Sequence, residues 1–163
     1  MKNYLIILFF FLALISFGQE IESKTEIRKN AFYFELGGNG GFYSVNYDRI
    51  VLSGKRTHLS VRGGLSVAHF TYLVPLEINL LFGKRHNFFE LGFGETLDAN
   101  NQRAGGGIGF KHYLPFMRFG YRLQKKVNDG GFLFRAGFTP TFVVDEGRGF
   151  PIPFAGVSFG YAF

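Results

Sequence analysis

Seven acidic and basic residues lie at positions that would share the inner face of neighbouring β-strands. Side chains of these types can form ion pairs with one another. Each lies in a segment where large apolar residues alternate with small or polar ones, on the face opposite the apolar stripe. Buried charges persist only when they are paired, and the planar guanidinium of arginine suits such networks. The seven residues are Glu35, Arg62, Glu77, Glu90, Arg118, Arg122 and Arg135.

These three carboxylates and four guanidiniums predict a nearly neutral polar interior. Glu90 lies one segment before Arg118 and Arg122, so an ion pair between neighbouring strands is feasible there. Arg135 neighbours Arg122, and these like charges need a carboxylate between them. Most other residues on this face are Gly, Ser or Thr. Because an eight-stranded barrel is only wide enough for side chains to fill it, we expect a plugged lumen. A gated or narrow conducting path is the alternative.

The elements that position these charges are eight alternating segments. None keeps a 3.6-residue repeat, so we expect essentially no helix beyond the N-terminal segment. Asn39-Gly40 predicts a tight hairpin after the first segment, because both residues tolerate positive φ. The predicted fold is all-β: an eight-stranded antiparallel up-and-down transmembrane β-barrel. The apolar stripes of the first seven segments begin at Phe32, Tyr43, Leu59, Val74, Phe89, Met117 and Phe132, and the eighth segment is 153–163.

The connections between the segments differ in charge and length. The even-numbered connections are short and basic: Lys55-Arg56, Lys84-Arg85-His86 and Lys125-Lys126. The odd-numbered connections include a Gly- and Asn-rich stretch (95–107) and an acidic one at Asp145-Glu146. A meander puts even and odd connections at opposite ends of a barrel. Short periplasmic turns and longer outer loops are usual, so we assign the basic turns to the periplasmic end.

The N-terminus has the features of a cleavable secretory signal over residues 1–18. Lys2 is followed by an apolar run, and Ser16 and Gly18 are small residues suited to cleavage after Gly18. The apolar run is shorter than the roughly 20 residues of a spanning helix. We expect a polar periplasmic lead at 19–30 and the barrel at 31–163. The chain has no cysteine, so neither a disulfide nor a lipid-attachment cysteine is available.

The amino-acid composition narrows the range of functions that the protein could have. The 163 residues include 23 Phe, 23 Gly and no Trp, and phenylalanine spread along the chain favours an apolar outer surface. The net charge is +6, but the basic residues form no single tract, and an exported chain rarely meets nucleic acid. The histidines have no metal-ligand spacing and Gly105–Gly109 is no dinucleotide fingerprint, so we expect no metal and no cofactor. The tyrosines expected at the membrane interfaces are Tyr43, Tyr47, Tyr121 and Tyr161.

One pair of residues could support nucleophilic catalysis. Some outer-membrane lipid deacylases use a His-x-Ser pair with a nearby carboxylate, and His58 and Ser60 have this spacing. By alternation, however, the pair faces the lumen and lies near the presumed periplasmic end. An enzyme that acts on lipid A needs its site near the outer leaflet. We therefore expect no enzyme, with a lipid-modifying activity as a lesser alternative.

Five stretches carry a resemblance to the small outer-membrane β-barrels of the OmpX/OmpA type, in particular a poorly characterised Gram-negative group. They are ELGGNGGFYSVNY (35–47), LGFG (91–94), FGYR (119–122), GFLFRAGF (131–138) and SFGYAF (158–163). The resemblance implies an outer-membrane barrel. In the last stretch, the alternating aromatics Phe159, Tyr161 and Phe163 are similar to the signal that the barrel-assembly machinery reads.

The resemblance implies little about activity, because barrels of this shape serve many roles. We expect a monomer in contact with outer-membrane lipids and the assembly machinery. Its role would be structural or would involve surface interactions through loops near 38–41, 69–73, 95–114 and 144–152. The alternatives are a narrow channel, a lipid-modifying enzyme, and a secreted soluble β-barrel or sandwich.

Overall fold

Eight antiparallel strands close into one barrel in a computed structural model that describes residues 27–68, 71–100, 109–125, 130–145 and 148–163. Each strand pairs with its neighbours in sequence, and the last pairs with the first. This arrangement confirms the predicted fold class. The strands are β1 (Asn30–Gly37), β2 (Tyr43–Ser53), β3 (Thr57–Ala68), β4 (Thr71–Lys84), β5 (Asn87–Asn100), β6 (Gly109–Gln124), β7 (Phe132–Asp145) and β8 (Arg148–Ala162). The expected signal segment 1–18, and all but the end of the lead at 19–30, lie outside the described residues.

The alternation of side chains along each strand determines which face turns inward. On β1, Phe32 and Phe34 are exposed on the outer wall, whereas Tyr33 and Glu35 are buried in the lumen. The other strands repeat this pattern, so the outer wall is rich in Phe, Leu, Val and Tyr and the interior is mostly polar. A soluble protein has the reverse arrangement, and an apolar outer wall around a polar interior is typical of membrane barrels. No helix in the described ranges is long and apolar enough to cross a membrane.

The barrel closes between β1 and β8. Phe34 is the register partner of Phe159, and Tyr33 is the partner of Gly160. A Cβ atom at Gly160 would collide with the Tyr33 side chain and backbone, so glycine lets the tyrosine lie flat along the inner wall. Phe159, Tyr161 and Phe163, the expected assembly signal, project outward and are about half exposed.

The first turn differs from the predicted two-residue hairpin at Asn39-Gly40. The β1–β2 register ends at Leu36 and Tyr43, and five residues (38–42) connect the two strands. A single 3-10 turn at Gly38–Gly40 lies within this connection, and Gly37, Gly38 and Gly41 have positive φ angles. A hairpin centred on Asn39-Gly40 is therefore present, but its turn is wider than predicted, because the three glycines with positive φ permit a turn that folds inward.

The strands at the odd-numbered end are longer than the sequence predicted. β5 runs to Asn100 and β6 begins at Gly109, while β7 and β8 remain paired up to Asp145 and Arg148. Most of the loops expected near 69–73, 95–114 and 144–152 are therefore strand. Residues 69–70, 101–108 and 146–147, which include His69 and most of the Gly105–Gly109 run, lie outside the described residues. Backbone pairing continues past the apolar band because it needs no particular side chain.

Candidate functional site in the barrel lumen

The seven charged residues singled out in the sequence all lie inside the barrel, and none is more than 3% exposed. An eighth charged residue, Asp48, is fully buried beside them. The sequence prediction left Asp48 out of the charge network, although alternation with Ser44 and Asn46 on β2 already placed it on the inner face. Among the side chains that the structure describes, four carboxylates therefore face four guanidiniums, and this network is neutral in sum.

Four of these residues form a closed ring of alternating charge. Arg62 on β3 donates to Glu35 on β1, and through Nη1 to Glu77 Oε2 on β4 at 2.5 Å. Arg118 on β6 donates through Nη2 to Glu35 Oε1 at 2.7 Å and through Nε to Glu77 Oε1 at 2.8 Å. Each guanidinium thus bridges both carboxylates. The ring links four strands, and every charge in it has two partners of opposite sign.

Glu90 pairs with Arg135 on β7 rather than with Arg118 or Arg122 on β6. Arg135 donates to both carboxylate oxygens, with 3.0 Å between Nε and Oε2. The residue opposite Glu90 on β6 is Gly120, whose own partner on β7 is Gly137. Because neither glycine has a side chain, the Glu90 carboxylate can reach across β6 to the next strand.

Tyr33 lies between the ring and this second ion pair. Its hydroxyl accepts a hydrogen bond from Arg135 Nη1, and its ring centroid lies 4.8 Å from the Cζ atom of Arg135. The Cζ atom of Arg62 lies 5.7 Å from the same centroid. At these distances a guanidinium is attracted to the negative face of an aromatic ring. Alternation with Phe32 and Phe34 on β1 turns Tyr33 inward, but nothing in the sequence indicated this contact with two arginines.

Arg122 has its own carboxylate on the far side of the lumen. Its Nη2 donates to Asp48 Oδ1 at 2.9 Å, and its Nε donates to Gln124 Oε1 at 2.9 Å. Arg122 and Arg135 are register partners on β6 and β7. The sequence analysis therefore predicted a carboxylate between these two like charges. The structure gives each arginine a separate carboxylate instead, Asp48 for Arg122 and Glu90 for Arg135.

His58 and Ser60 do not form a nucleophile-base pair. The Ser60 hydroxyl donates to Asp48 Oδ2 at 3.0 Å. His58 packs edge-on against Phe88, with 5.3 Å between ring centroids, and neither ring nitrogen has a hydrogen-bond partner among the described residues. The same part of the chain contains no group of three or more His, Cys, Asp or Glu residues that could hold a metal ion.

The Gly38–Gly40 turn covers the end of the lumen that lies opposite the basic turns. Asn39 is 5% exposed, and its Oδ1 accepts from Arg62 Nη1 at 3.1 Å and from Arg118 Nη2 at 3.4 Å. Thr96 donates to the Asn39 carbonyl at 3.0 Å, and Ser66 donates to the Gly40 carbonyl at 2.6 Å. The turn expected to act as a surface loop is therefore bound to the inner charge ring.

The opposite end, where the barrel sequence begins and ends, is covered by the residues before β1. Ile27 packs in an apolar cluster with Ile50, Leu81 and Phe88. The Lys29 carbonyl accepts from the Ile50 amide at 2.7 Å, and the Arg28 carbonyl accepts from Gln124 Nε2 at 2.5 Å. Side chains and backbone thus cover both mouths of the barrel.

Two outward tyrosines repeat one local arrangement on opposite sides of the barrel. Tyr47 is the register partner of Phe32, and its hydroxyl donates to Asn30 at 2.8 Å. Tyr121 is likewise the partner of Phe89, and its hydroxyl donates to Asn87 at 2.6 Å. In both cases the asparagine precedes the phenylalanine by two residues. Both phenols therefore point toward the basic-turn end, where an amphipathic ring suits a membrane interface.

Removing the Tyr121 hydroxyl should have a small, measurable cost. We expect Tyr121→Phe to lower the free energy of unfolding by about 0.5–1.5 kcal/mol, the usual contribution of one hydrogen bond. Denaturant titration of the refolded barrel in vesicles measures the change. The matched control is Phe119→Tyr, which adds a hydroxyl two residues before Tyr121 on the same strand. This variant should not improve stability. An unchanged midpoint for Tyr121→Phe would show that the Asn87 contact contributes nothing.

Together these features define a class of fold. The chain is an eight-stranded up-and-down barrel with an apolar outer wall and a polar interior, which is the fold of the small OmpX/OmpA-type outer-membrane barrels.

A solved structure agrees with this assignment. The chain is similar to the crystal structure of the N-terminal β-barrel domain of Pseudomonas aeruginosa OprF, with a TM-score of 0.53 and 12% sequence identity. The match covers 83% of this chain and 99% of the OprF domain. No family model and no curated protein matches the sequence. At this identity the likeness establishes the fold alone.

Proposed function

We propose that this protein is an integral outer-membrane barrel with a plugged lumen and a structural or surface-interaction role. The observation that carries the proposal is the neutral network of eight buried charges, covered at one end by Asn39 and at the other by the Ile27 cluster. A packed interior of paired charges fixes the strands to one another. It also leaves little room for a hydrated path.

Membrane insertion is supported by the outer wall, where large apolar side chains are exposed. Phe93, for example, is 63% exposed, which suits contact with lipid. The expected signal segment at residues 1–18 and the likeness to an outer-membrane barrel domain favour the outer membrane. We further propose that outer-membrane lipids surround the wall, that the barrel-assembly machinery binds the C-terminal strand at Phe159, Tyr161 and Phe163, and that the protein acts as a monomer.

We propose no enzymatic activity. The residues of the only nucleophile candidate weighed in the sequence make other contacts, since Ser60 donates to Asp48 and His58 packs on Phe88. A lipid-modifying enzyme would change the mass of lipid A in cells that express the protein, and Ser60→Ala would abolish that change. Mass spectra of lipid A that are identical with and without the protein agree with the proposal.

Cell fractionation with gel migration tests the location. After expression with its signal segment, the protein should be found in the outer-membrane fraction. Its apparent size on a gel should change when the sample is boiled, because a folded barrel resists the detergent until it is heated. A soluble periplasmic protein without this shift would contradict the proposal and favour a secreted soluble fold.

Single-channel recording in a planar bilayer tests the plug. We expect the wild-type barrel to give no resolved conductance steps, because paired side chains occupy the lumen. A narrow channel instead predicts steps whose amplitude changes in Arg118→Ala or Glu90→Ala. Glu95→Ala serves as a control, since Glu95 lies on the outer face of β5. Steps in the wild type that respond to the lumen variants and not to Glu95→Ala would overturn the plug.

A further inference from the structure

Two neighbouring turns at the basic-turn end of the barrel carry four exposed basic side chains. Lys55 and Arg56 lie in the β2–β3 turn, and Lys84 and Arg85 lie at the β4–β5 turn. The Gly83 amide donates to the Arg56 carbonyl at 2.8 Å, so the backbone holds the two turns side by side. We call these four residues the basic rim cluster.

No carboxylate neutralises the basic rim cluster within the described part of the chain. None of its four side chains makes an ion pair there. Asp48 lies toward the same end of the barrel, but it is fully buried and paired with Arg122. No exposed carboxylate lies at this end among the residues that the structure describes. The cluster therefore presents its positive charge to whatever surrounds the rim.

The backbone of Arg85 is strained. Lys84 and Asn87 are register partners, so Arg85 and His86 form a two-residue hairpin turn. The φ angle of Arg85 is 59°, and among the described residues it is the one non-glycine with positive φ. Glycine or asparagine is usual at such a position, because other side chains strain the backbone. Strained residues persist where they have a function, and a guanidinium without an ion pair in the described chain points to a ligand outside the protein.

The apolar outer wall ends directly beside the cluster. Phe82 lies two residues before Lys84 and is 38% exposed, and Leu52 lies three residues before Lys55 and is 57% exposed. A strand rises about 3.3 Å per residue, so each basic residue lies within about 10 Å of an apolar outer-wall residue. The headgroup layer on each side of a bilayer is about 5–8 Å thick, and long basic side chains extend into it. In the proposed membrane location, the cluster therefore lies at the level of the lipid headgroups.

We propose that the basic rim cluster binds the headgroup phosphate of an anionic phospholipid in the adjacent leaflet. Guanidinium and ammonium groups donate strong, charge-assisted hydrogen bonds to phosphate oxygens. A zwitterionic headgroup carries an ammonium group that the four cations repel, so a lipid with net negative charge fits the cluster better. The inference rests on the proposed membrane location.

Tryptophan fluorescence measures this lipid preference, because the chain has no tryptophan. Phe82→Trp places a probe beside the cluster. Phe142→Trp is the matched control, since Phe142 is 36% exposed and lies near the other end of the barrel. Each variant is refolded into vesicles of equimolar phosphatidylcholine and phosphatidylglycerol, with the acyl chains of one or the other lipid brominated. Bromine quenches a tryptophan in contact with it, so the ratio of the two quenching strengths reports the local enrichment of phosphatidylglycerol.

We expect phosphatidylglycerol to be enriched about fivefold beside Phe82→Trp, the preference that one basic residue near an anionic surface provides. Beside Phe142→Trp the ratio should be close to one. Equal quenching by the two lipids beside Phe82→Trp would overturn the inference, as would the same enrichment beside Phe142→Trp. Absence of quenching in both variants would instead overturn membrane insertion itself. The heat-induced gel shift confirms that each variant has folded.

The variant Arg85→Gly separates lipid binding from a structural role of this residue. Glycine adopts positive φ without strain, so Arg85→Gly should be at least as stable to urea as the wild type in phosphatidylcholine alone. Combined with Phe82→Trp, it should nevertheless lower the enrichment of phosphatidylglycerol by about half or more. Lys29→Gln removes an exposed basic residue outside the cluster and should leave the enrichment unchanged. An enrichment that Arg85→Gly does not lower, or that both variants lower equally, would overturn the cluster as the binding site.

Inorganic phosphate distinguishes a lipid headgroup from a free anion as the occupant of the cluster. Sodium phosphate and sodium chloride of equal ionic strength should screen the enrichment beside Phe82→Trp to the same extent. A loss of enrichment in phosphate but not in chloride would overturn the lipid as the ligand and favour a soluble phosphate compound.

Discussion

Replacement of Glu77 by leucine is expected to lower the free energy of unfolding by about 3–5 kcal/mol, the usual cost of removing one partner from a buried ion pair. Glu77 accepts from both Arg62 and Arg118 and is almost fully buried. Among the described residues, its loss leaves Glu35 as the remaining ion-pair partner of both guanidiniums. Little water can reach them, so the unpaired positive charge stays poorly solvated.

A double variant distinguishes lost charge pairing from lost packing. Glu77→Leu combined with Arg118→Leu leaves Arg62 paired with Glu35, so the remaining charges balance. We expect this double variant to be more stable than Glu77→Leu alone, because replacing a whole buried pair by apolar residues is often close to neutral. Urea titration in vesicles, followed by the heat-induced gel shift, measures all three proteins. A double variant that is less stable than either single variant would contradict the charge argument.

Tyr33→Ala is expected to cost about 3–5 kcal/mol, as for other large aromatic residues removed from a packed interior. The ring fills the space between Arg62 and Arg135 and packs with Ala31 and Leu133. Its removal creates a cavity and deprives Arg135 of a hydrogen-bond acceptor. Tyr33→Phe keeps the ring and removes only that acceptor, so its cost should be about 1.5–3 kcal/mol.

The matched control for this series is Tyr43→Ala. Tyr43 is on the outer wall, 43% exposed, and stacks with Phe34. We expect it to cost about 1 kcal/mol, near the centre of the range for single substitutions, because it removes only the stacking on Phe34. Refolding yields and unfolding midpoints of the three variants provide the comparison. Equal costs for Tyr33→Ala and Tyr43→Ala would show that the lumen contributes no more to stability than the outer wall.

Alternation along the strands was sufficient to predict which side chains enter the lumen. It placed Glu35, Arg62 and Arg135 inside because side-chain direction in a strand repeats every two residues, whatever the neighbours are. The same rule identified the number of strands and their antiparallel order. These features depend on short stretches of sequence, which is why the sequence alone could reveal them.

The choice of ion-pair partners depends on the three-dimensional arrangement of the strands, which the alternation of side chains along each strand does not specify. Glu90 reaches Arg135 because Gly120 leaves space on the strand between them, and Arg122 finds Asp48 across the lumen on β2. Such contacts follow from barrel closure and strand tilt rather than from sequence separation. The inward turn at Asn39 was missed for the same reason, since its partners Arg62 and Arg118 lie on distant strands.

The ring formed by Glu35, Arg62, Glu77 and Arg118 has a consequence for the order of assembly. Its members come from β1, β3, β4 and β6, so no single hairpin contains the complete ring. A partly formed sheet in the bilayer would expose these charges without all of their partners, at a cost of several kcal/mol for each. In the proposed membrane location, we therefore expect insertion and closure to be coupled and intermediates with an open sheet to be disfavoured. All four ion pairs of the ring can form only when β1, β3, β4 and β6 are all in place.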